Sequence, residues 1–175
     1  MQMRKSSSWT KKHSTSQKKS DNQITSYIVD VLIRTNLVKV TDEIVQLIIR
    51  QGNVVLVGSV DRLGTPNISP RYVMAILEDE KIVFADAYLN KTYANVKSWP
   101  KITVAIVDQA NRSGFQLKGD AEEIVDPGVN AQAAQKLKEL GFKGGPAKVW
   151  ALNVKEIYSI EPSEKSKEPL ISAYG

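Results

Sequence analysis

Asn90-Lys91-Thr92 stands where a strand ending in Phe84-Ala85-Asp86 gives way to a short helical stretch, Lys91 to Trp99, that Pro100 stops. The N-terminus of a helix presents unpaired N–H groups and about half a positive charge. Lys91 adds an ammonium and Thr92 a hydroxyl, which makes a seat for a phosphate or a carboxylate. The same residues also suit a plain N-cap followed by a solvated cation, and the neighbourhood has to choose between the two. Arg71, on the strand before, supplies a second cation able to grip an oxyanion bidentately. Tyr72 and Val73 offer an aromatic and an aliphatic wall beside it. Ala85 and Asp86 end the next strand just short of the seat, so the body of a ligand can lie along that strand end. Gln116, in GFQLKG, carries an amide that both donates and accepts, suited to the edge of a heterocycle. Clamp, flat wall and amide edge together describe a site for a mononucleotide cofactor.

Other chemistries are closed off by composition. The chain has no cysteine, which removes disulfides, thiolate catalysis, iron–sulfur clusters and Cys-ligated zinc. That usage fits a cytoplasmic protein. The single histidine, His13, sits outside the apolar part of the chain, so a Ser-His-Asp triad, a His-ligated haem and a multi-histidine metal site are not expected. No metal is expected. Glu78-Asp79-Glu80 reads as a solvated hairpin turn, and GFKGGPAK lacks the spacing of a P-loop and reads as a hinge. Asp86 belongs to the ligand wall and is not read as a base. Trp99 and Trp150 are expected in the core.

The elements that must position these groups are legible in outline. With 175 residues, 42% of them hydrophobic, the chain suffices for one domain with a full core, and no apolar run approaches a membrane span. Residues 1–38, opening MQMRKSSSWTKKHSTSQKKSDNQ, read as a basic Ser/Lys-rich tail without fixed structure, and 39–175 as the folded domain. Ile24 to Val40 is more apolar and suits a short helix or strand. No apolar region follows the first basic residues directly, so the opening is not read as a secretory signal. Residues 1–36 hold seven Lys/Arg against two acidic groups, which accounts for the whole net charge of +5 and leaves 17 of each sign in the other 139 residues. The folded part is neutral and carries no electrostatic signature of a nucleic-acid partner. From Thr41, an N-cap, a helix runs to Gly52 with Ile44, Leu47 and Ile48 on one face. Short strands follow at VVLVGSV, NISPRYVMAIL, KIVFADA, KITVAIVD, FQLKGDAEEIV and KVWALNVKEIYSI, with a helix at GVNAQAAQKLKELGF. Pro70 places its part of the second strand at an edge or a bulge. Many strands and few helices between them predict a mainly β fold, a small antiparallel barrel with peripheral helices.

The run VLVGSVDRLGTPNISPRYV, then KIVFADAYLNKTYANVKSWPKITVAIVD, then GFQLKGDAEEI, resembles the FMN-binding split-barrel family related to pyridoxamine 5'-phosphate oxidase, over about Thr41 to Ile160. The resemblance implies a Greek-key-like split β-barrel and flavin mononucleotide (FMN) as cofactor, with a deazaflavin as the alternative. It implies that Lys91 and Thr92 bind the phosphate, with Asn90 and Asn95 supporting the loop. Arg71, Tyr72 and Val73 would line the second strand and present main-chain groups to the flavin, with Ala85 and Asp86 beneath it and Gln116 near the ring. It further implies a homodimer with the flavin at the subunit interface, and a flavin reductase or electron-transfer protein, or else a non-catalytic flavin binder. The last residues, EPSEKSKEPLISAYG, lack the arginine with which the true oxidases grip their substrate, so pyridoxamine phosphate oxidation is not expected.

Overall fold

The computed structural model describes residues 37–174, apart from the side chain of residue 165. The readings of residues 1–36 lie outside the described residues. Val38, three residues before the Thr41 cap, is buried and its N–H bonds to Val154 O at 2.9 Å. Thr41 caps α1 (Asp42–Arg50), its hydroxyl accepting from Ile44 N, and Asp42 and Glu43 occupy the first turn as the helix dipole favours. Gly52 at φ 67° and Asn53 at φ 61° then turn the chain into β1 (Val54–Val60).

Local turn chemistry sets the next two strands. The Asp61 carboxylate accepts from the N–H groups of Leu63 and Thr65, closing a hairpin into β2 (Pro66–Leu77). Glu78 and Asp79, both at positive φ, turn β2 into β3 (Lys81–Asp86). Pro70 is tolerated because β2 meets β3 only from Val73 onward, so its missing N–H is not needed by a ladder on that side. A register shift between Val73 and Ala75 adds a bulge there.

After β3 the chain crosses through α2 (Lys91–Ser98) to β4 (Lys101–Asp108), which pairs with β1. The spatial order β4-β1-β2-β3 is a Greek key. A hairpin leads to β5 (Ser113–Glu123), then α3 (Pro127–Glu139), then β6 (Lys148–Ser159). β6 pairs with β5 on one side and β3 on the other, which closes a six-stranded antiparallel barrel. The two-residue β7 (Ile171–Ser172) lies against β6.

Two apolar clusters follow from this closure. Inside the barrel, Val55, Val57, Ile82, Phe84, Val104, Ile106, Leu117, Leu152 and Ile157 pack with Ile44, Leu47 and Ile48 of α1. Outside it, Ala133 and Leu137 of α3 cover Met74, Val83, Ala85 and Ala151. β3 is therefore buried on both faces, which is why KIVFAD is apolar without alternation. Trp150 is buried as expected, its ring 4.7 Å from that of Phe84. Trp99 corrects the expectation of a core residue: it is 55% exposed. α2 has ended at Ser98, and the extended backbone at Trp99 carries its ring off the helix face that buries Thr92 and Asn95.

Candidate functional site

Arg71 and Asp86 are brought together by strand register. Val73 of β2 pairs with Phe84 of β3, so two residues further toward the barrel end Arg71 comes opposite Asp86. The Arg71 Nε lies 2.8 Å from Asp86 Oδ1, an ion pair in which the N–H is not aligned on the carboxylate as a hydrogen bond. Across the other ladder Phe84 pairs with Trp150, which lets the Trp150 indole N–H donate to Asp86 Oδ2 at 3.1 Å. Burial pushes the Asp86 carboxyl above the ordinary carboxylate range, and the Arg71 charge and the Trp150 hydrogen bond partly oppose that rise.

The guanidinium also reaches the start of α2. Nη2 donates to Asn90 Oδ1 at 2.9 Å, while Nη1 donates to Pro70 O. The same Asn90 oxygen accepts from Thr92 N at 3.1 Å, so one carboxamide both caps the helix and holds the arginine. Around this knot lies a cavity of about 320 Å³, walled by Val54, Tyr72, Ala85, Tyr88, Leu137 and Phe142 as well as Arg71, Asp86 and Asn90. Loop and helix residues that the sequence did not single out, Leu137 and Phe142 of the α3 end, thus form one wall. Leu137 was legible as an apolar helix position; that it faces a ligand cavity depends on where α3 docks.

Five of the ten expected residues, Arg71, Tyr72, Ala85, Asp86 and Asn90, line this cavity. Val73 lies directly behind, buried, with its N–H taken by Asn53 O. Lys91 is exposed next to Asn90 and takes part in none of the ion pairs among the described residues. Thr92 points inward instead: it is 1% exposed, with its hydroxyl 2.8 Å from Ser69 Oγ and 3.2 Å from Asn67 Nδ2. Asn95 is buried one turn on and donates to Ser59 Oγ. Ser59, Asn67 and Ser69 had no signal beyond small polar residues alternating along β1 and β2. Gln116 is not brought to the cavity within one chain. It stands in a cross-strand row with Ala105, Leu56 and Pro70, three strands from Pro70 and so about 14 Å from the cavity wall.

A larger cavity, about 480 Å³, lies over β1, β4 and β5 near Tyr174 and contains none of the expected residues. Two of its lysines are engaged elsewhere, Lys101 with Asp120 and Lys118 over the Tyr158 ring. Convergent polar groups, which make a ligand site, are found in the smaller cavity. Among the described residues no cluster of three or more His, Asp or Glu side chains is arranged to hold a metal ion, and no helix is long and apolar enough to cross a membrane.

Comparison with known proteins agrees with this architecture. Residues 40–161 match the family model described as pyridoxamine 5'-phosphate oxidase. An uncharacterized protein of Methanocaldococcus jannaschii is 25% identical over 128 residues, covering 72% of this chain and 84% of that one. The solved structure of HupZ from Group A Streptococcus is similar with a TM-score of 0.61 at 26% identity, over 71% of this chain and 96% of that one. An FMN-binding protein from Syntrophomonas wolfei, 16% identical, has a TM-score of 0.56 over 82% of this chain and 98% of that one, a likeness of fold.

Proposed function

The chain belongs to the pyridoxamine 5'-phosphate oxidase family, and from that premise we propose that it binds FMN in the cavity between β2, β3 and α2. Arg71 carries this reading. A guanidinium has five N–H donors; Nη1 and Nη2 use one each, on Pro70 O and Asn90 Oδ1, while the Nε N–H meets Asp86 as an ion pair without a hydrogen bond. The side chain is only 10% exposed, and it brings a buried Nε N–H without a hydrogen-bond acceptor and further Nη donor capacity to the wall of a cavity. A phosphate satisfies them, with Lys91 adding a second charge from the rim. Tyr72 and Ala85 supply a flat wall for a ring, while Leu137 and Phe142 exclude water from its far side. The FMN-binding relative of like fold supports the cofactor class.

Bound FMN supplies hydride or electron transfer, and the protein orients it. Asp86 is the one carboxylate in the cavity wall, and it is tied to Arg71 and Trp150, not aimed at a substrate. A flavin reductase or electron-transfer protein suits a site with no second acid or base. The second reading is a flavin or deazaflavin binder without turnover. Pyridoxamine phosphate oxidation is not proposed, because the C-terminal segment has no arginine to grip that substrate. The absence of cysteine supports a cytoplasmic setting.

A homodimer completes the proposal. At 320 Å³ the cavity is at the low end of the roughly 300–1,000 Å³ typical of ligand sites, so one chain encloses only part of a mononucleotide. The outer face of β1, β2 and β4 exposes Val54, Leu56, Ile68, Tyr72 and Val107, an apolar patch that begins at the cavity rim and continues to the row holding Gln116. A two-fold axis through this patch would bring Gln116 of each subunit toward its partner's cavity. The deciding experiment is the visible absorption spectrum of the purified protein with added FMN, beside Arg71→Ala and Lys91→Ala. A bound-flavin spectrum weakened in both variants is expected, and a protein that ignores FMN overturns the reading. Oxidation of NADH or NADPH by the loaded protein separates the reductase from the silent binder.

A further inference from the structure

Asn90 Oδ1 occupies the place where a ligand oxyanion would be held. It accepts at once from Thr92 N, at 3.1 Å, and from Arg71 Nη2, at 2.9 Å. The first is an N-terminal donor of α2, and the second belongs to Arg71, whose side chain is 10% exposed, at the cavity wall. Those are donors of the kind a phosphate takes at a helix start. Asn90 is also exposed and lines the cavity, so its side chain has room to leave.

We propose that Asn90 determines how strongly this site discriminates a phosphorylated flavin from an unphosphorylated one, by holding the phosphate seat with its own carboxamide until a phosphate displaces it. The inference rests on the FMN reading above and adds what that reading leaves out. With no ligand, the carboxamide satisfies donors that would otherwise face an apolar cavity, and it keeps Arg71 stretched between Asp86 and α2. A neutral amide oxygen is a weaker acceptor than a phosphate oxygen, so the exchange favours the phosphate. It favours it by less than an empty seat would, because the amide contacts must first be broken. A flavin without a phosphate gains nothing by displacing Asn90, so its affinity does not depend on this residue.

Asn90→Gly is the informative variant, because glycine is nearly as good an N-cap as asparagine and α2 should persist. Asn90→Ser is the companion. Its hydroxyl still caps Thr92 N but is too short to hold Arg71 Nη2. FMN and riboflavin are titrated into both variants, wild type and Arg71→Ala, following quenching of flavin fluorescence, with circular dichroism to verify folding. Both Asn90 variants should bind FMN between roughly twofold and tenfold more tightly than wild type, about the worth of one net hydrogen bond, with riboflavin affinity unchanged. FMN affinity that is unchanged or weaker in both Asn90 variants, while Arg71→Ala weakens it, overturns this inference and leaves the site standing. Equal gains for riboflavin and FMN also overturn it. A wild-type protein that binds no FMN overturns the site reading and this inference with it.

Discussion

Arg71 and Asp86 are the residues on which the site turns, and each is the reason the other can be buried. Removing one partner of a buried ion pair leaves a charge without compensation, at a cost of about 3–5 kcal/mol. Arg71→Ala is therefore expected to lose on that order of stability in urea unfolding at neutral pH, and to lose FMN binding at least tenfold. Lys91→Ala, at an exposed site, should weaken FMN and leave stability unchanged. Asp86 gives a pH signature. Its folded pKa is raised above the ordinary 3.8, chiefly by burial, so the folded state holds its proton more tightly than the unfolded one. The associated stability is fully present below 3.8 and is lost as pH rises through the raised folded value. Carboxylates such as Asp108 and Glu122, lowered by Asn111 and Asn153 respectively, act in the opposite sense. The difference in unfolding free energy between wild type and Asp86→Asn isolates Asp86, and it should fall as pH rises above 3.8 and level off once the folded carboxyl has ionised. A pH-independent difference would show that Asp86 titrates normally.

At the scale of elements, α2 owes its position to a polar knot more than to apolar packing. Thr92 and Asn95 are its two buried residues, and they bond to Ser69, Asn67 and Ser59 of β1 and β2. Thr92→Val keeps the shape and removes the hydroxyl, leaving Ser69 and Asn67 without their partner. It should cost about 1–3 kcal/mol in chemical denaturation, and Thr92→Ser should restore most of it. FMN binding should weaken in Thr92→Val as well, because the helix start carries the Thr92 N–H and Lys91 that the proposed phosphate seat uses. A valine variant as stable as wild type would mean that water replaces the hydroxyl. The β5–β6 ladder contains a tighter constraint: a Cβ on Gly119 would lie 1.9 Å from Asn153 O, at a register shift between Lys118 and Gly119. Gly119→Ala should lower the melting temperature by several degrees, since backbone must move to admit the methyl.

For the whole molecule, one face of the barrel is apolar and exposed among the described residues. Leu56 and Ile68 lie at its middle, exposed, on strands whose other faces are buried in the core. Light scattering coupled to size exclusion should report a dimer for wild type. Leu56→Glu and Ile68→Glu should shift it to monomer and weaken flavin binding together, since the proposed dimer shares the site. A monomeric wild type that binds FMN fully would remove the shared-site arrangement.

The element list was legible from sequence because its signals are local. Thr41, the Asp61-Gly64 turn, Glu78-Asp79 and Pro100 each act on the few residues beside them. Arg71, Tyr72, Ala85, Asp86 and Asn90 could be grouped because consecutive strands and the following helix start are neighbours in space as in sequence. Tertiary structure decided what depends on non-local pairing. The closure of β3 on β6 puts Trp150 against Asp86, and the docking of α3 makes Leu137 a cavity wall. The Greek-key crossing turns the Thr92 hydroxyl inward onto Ser69 and sets Gln116 three strands from the cavity. A strand residue has only two faces to choose from, so its sequence tells whether it alternates. Which element covers each face is fixed only when distant strands find one register.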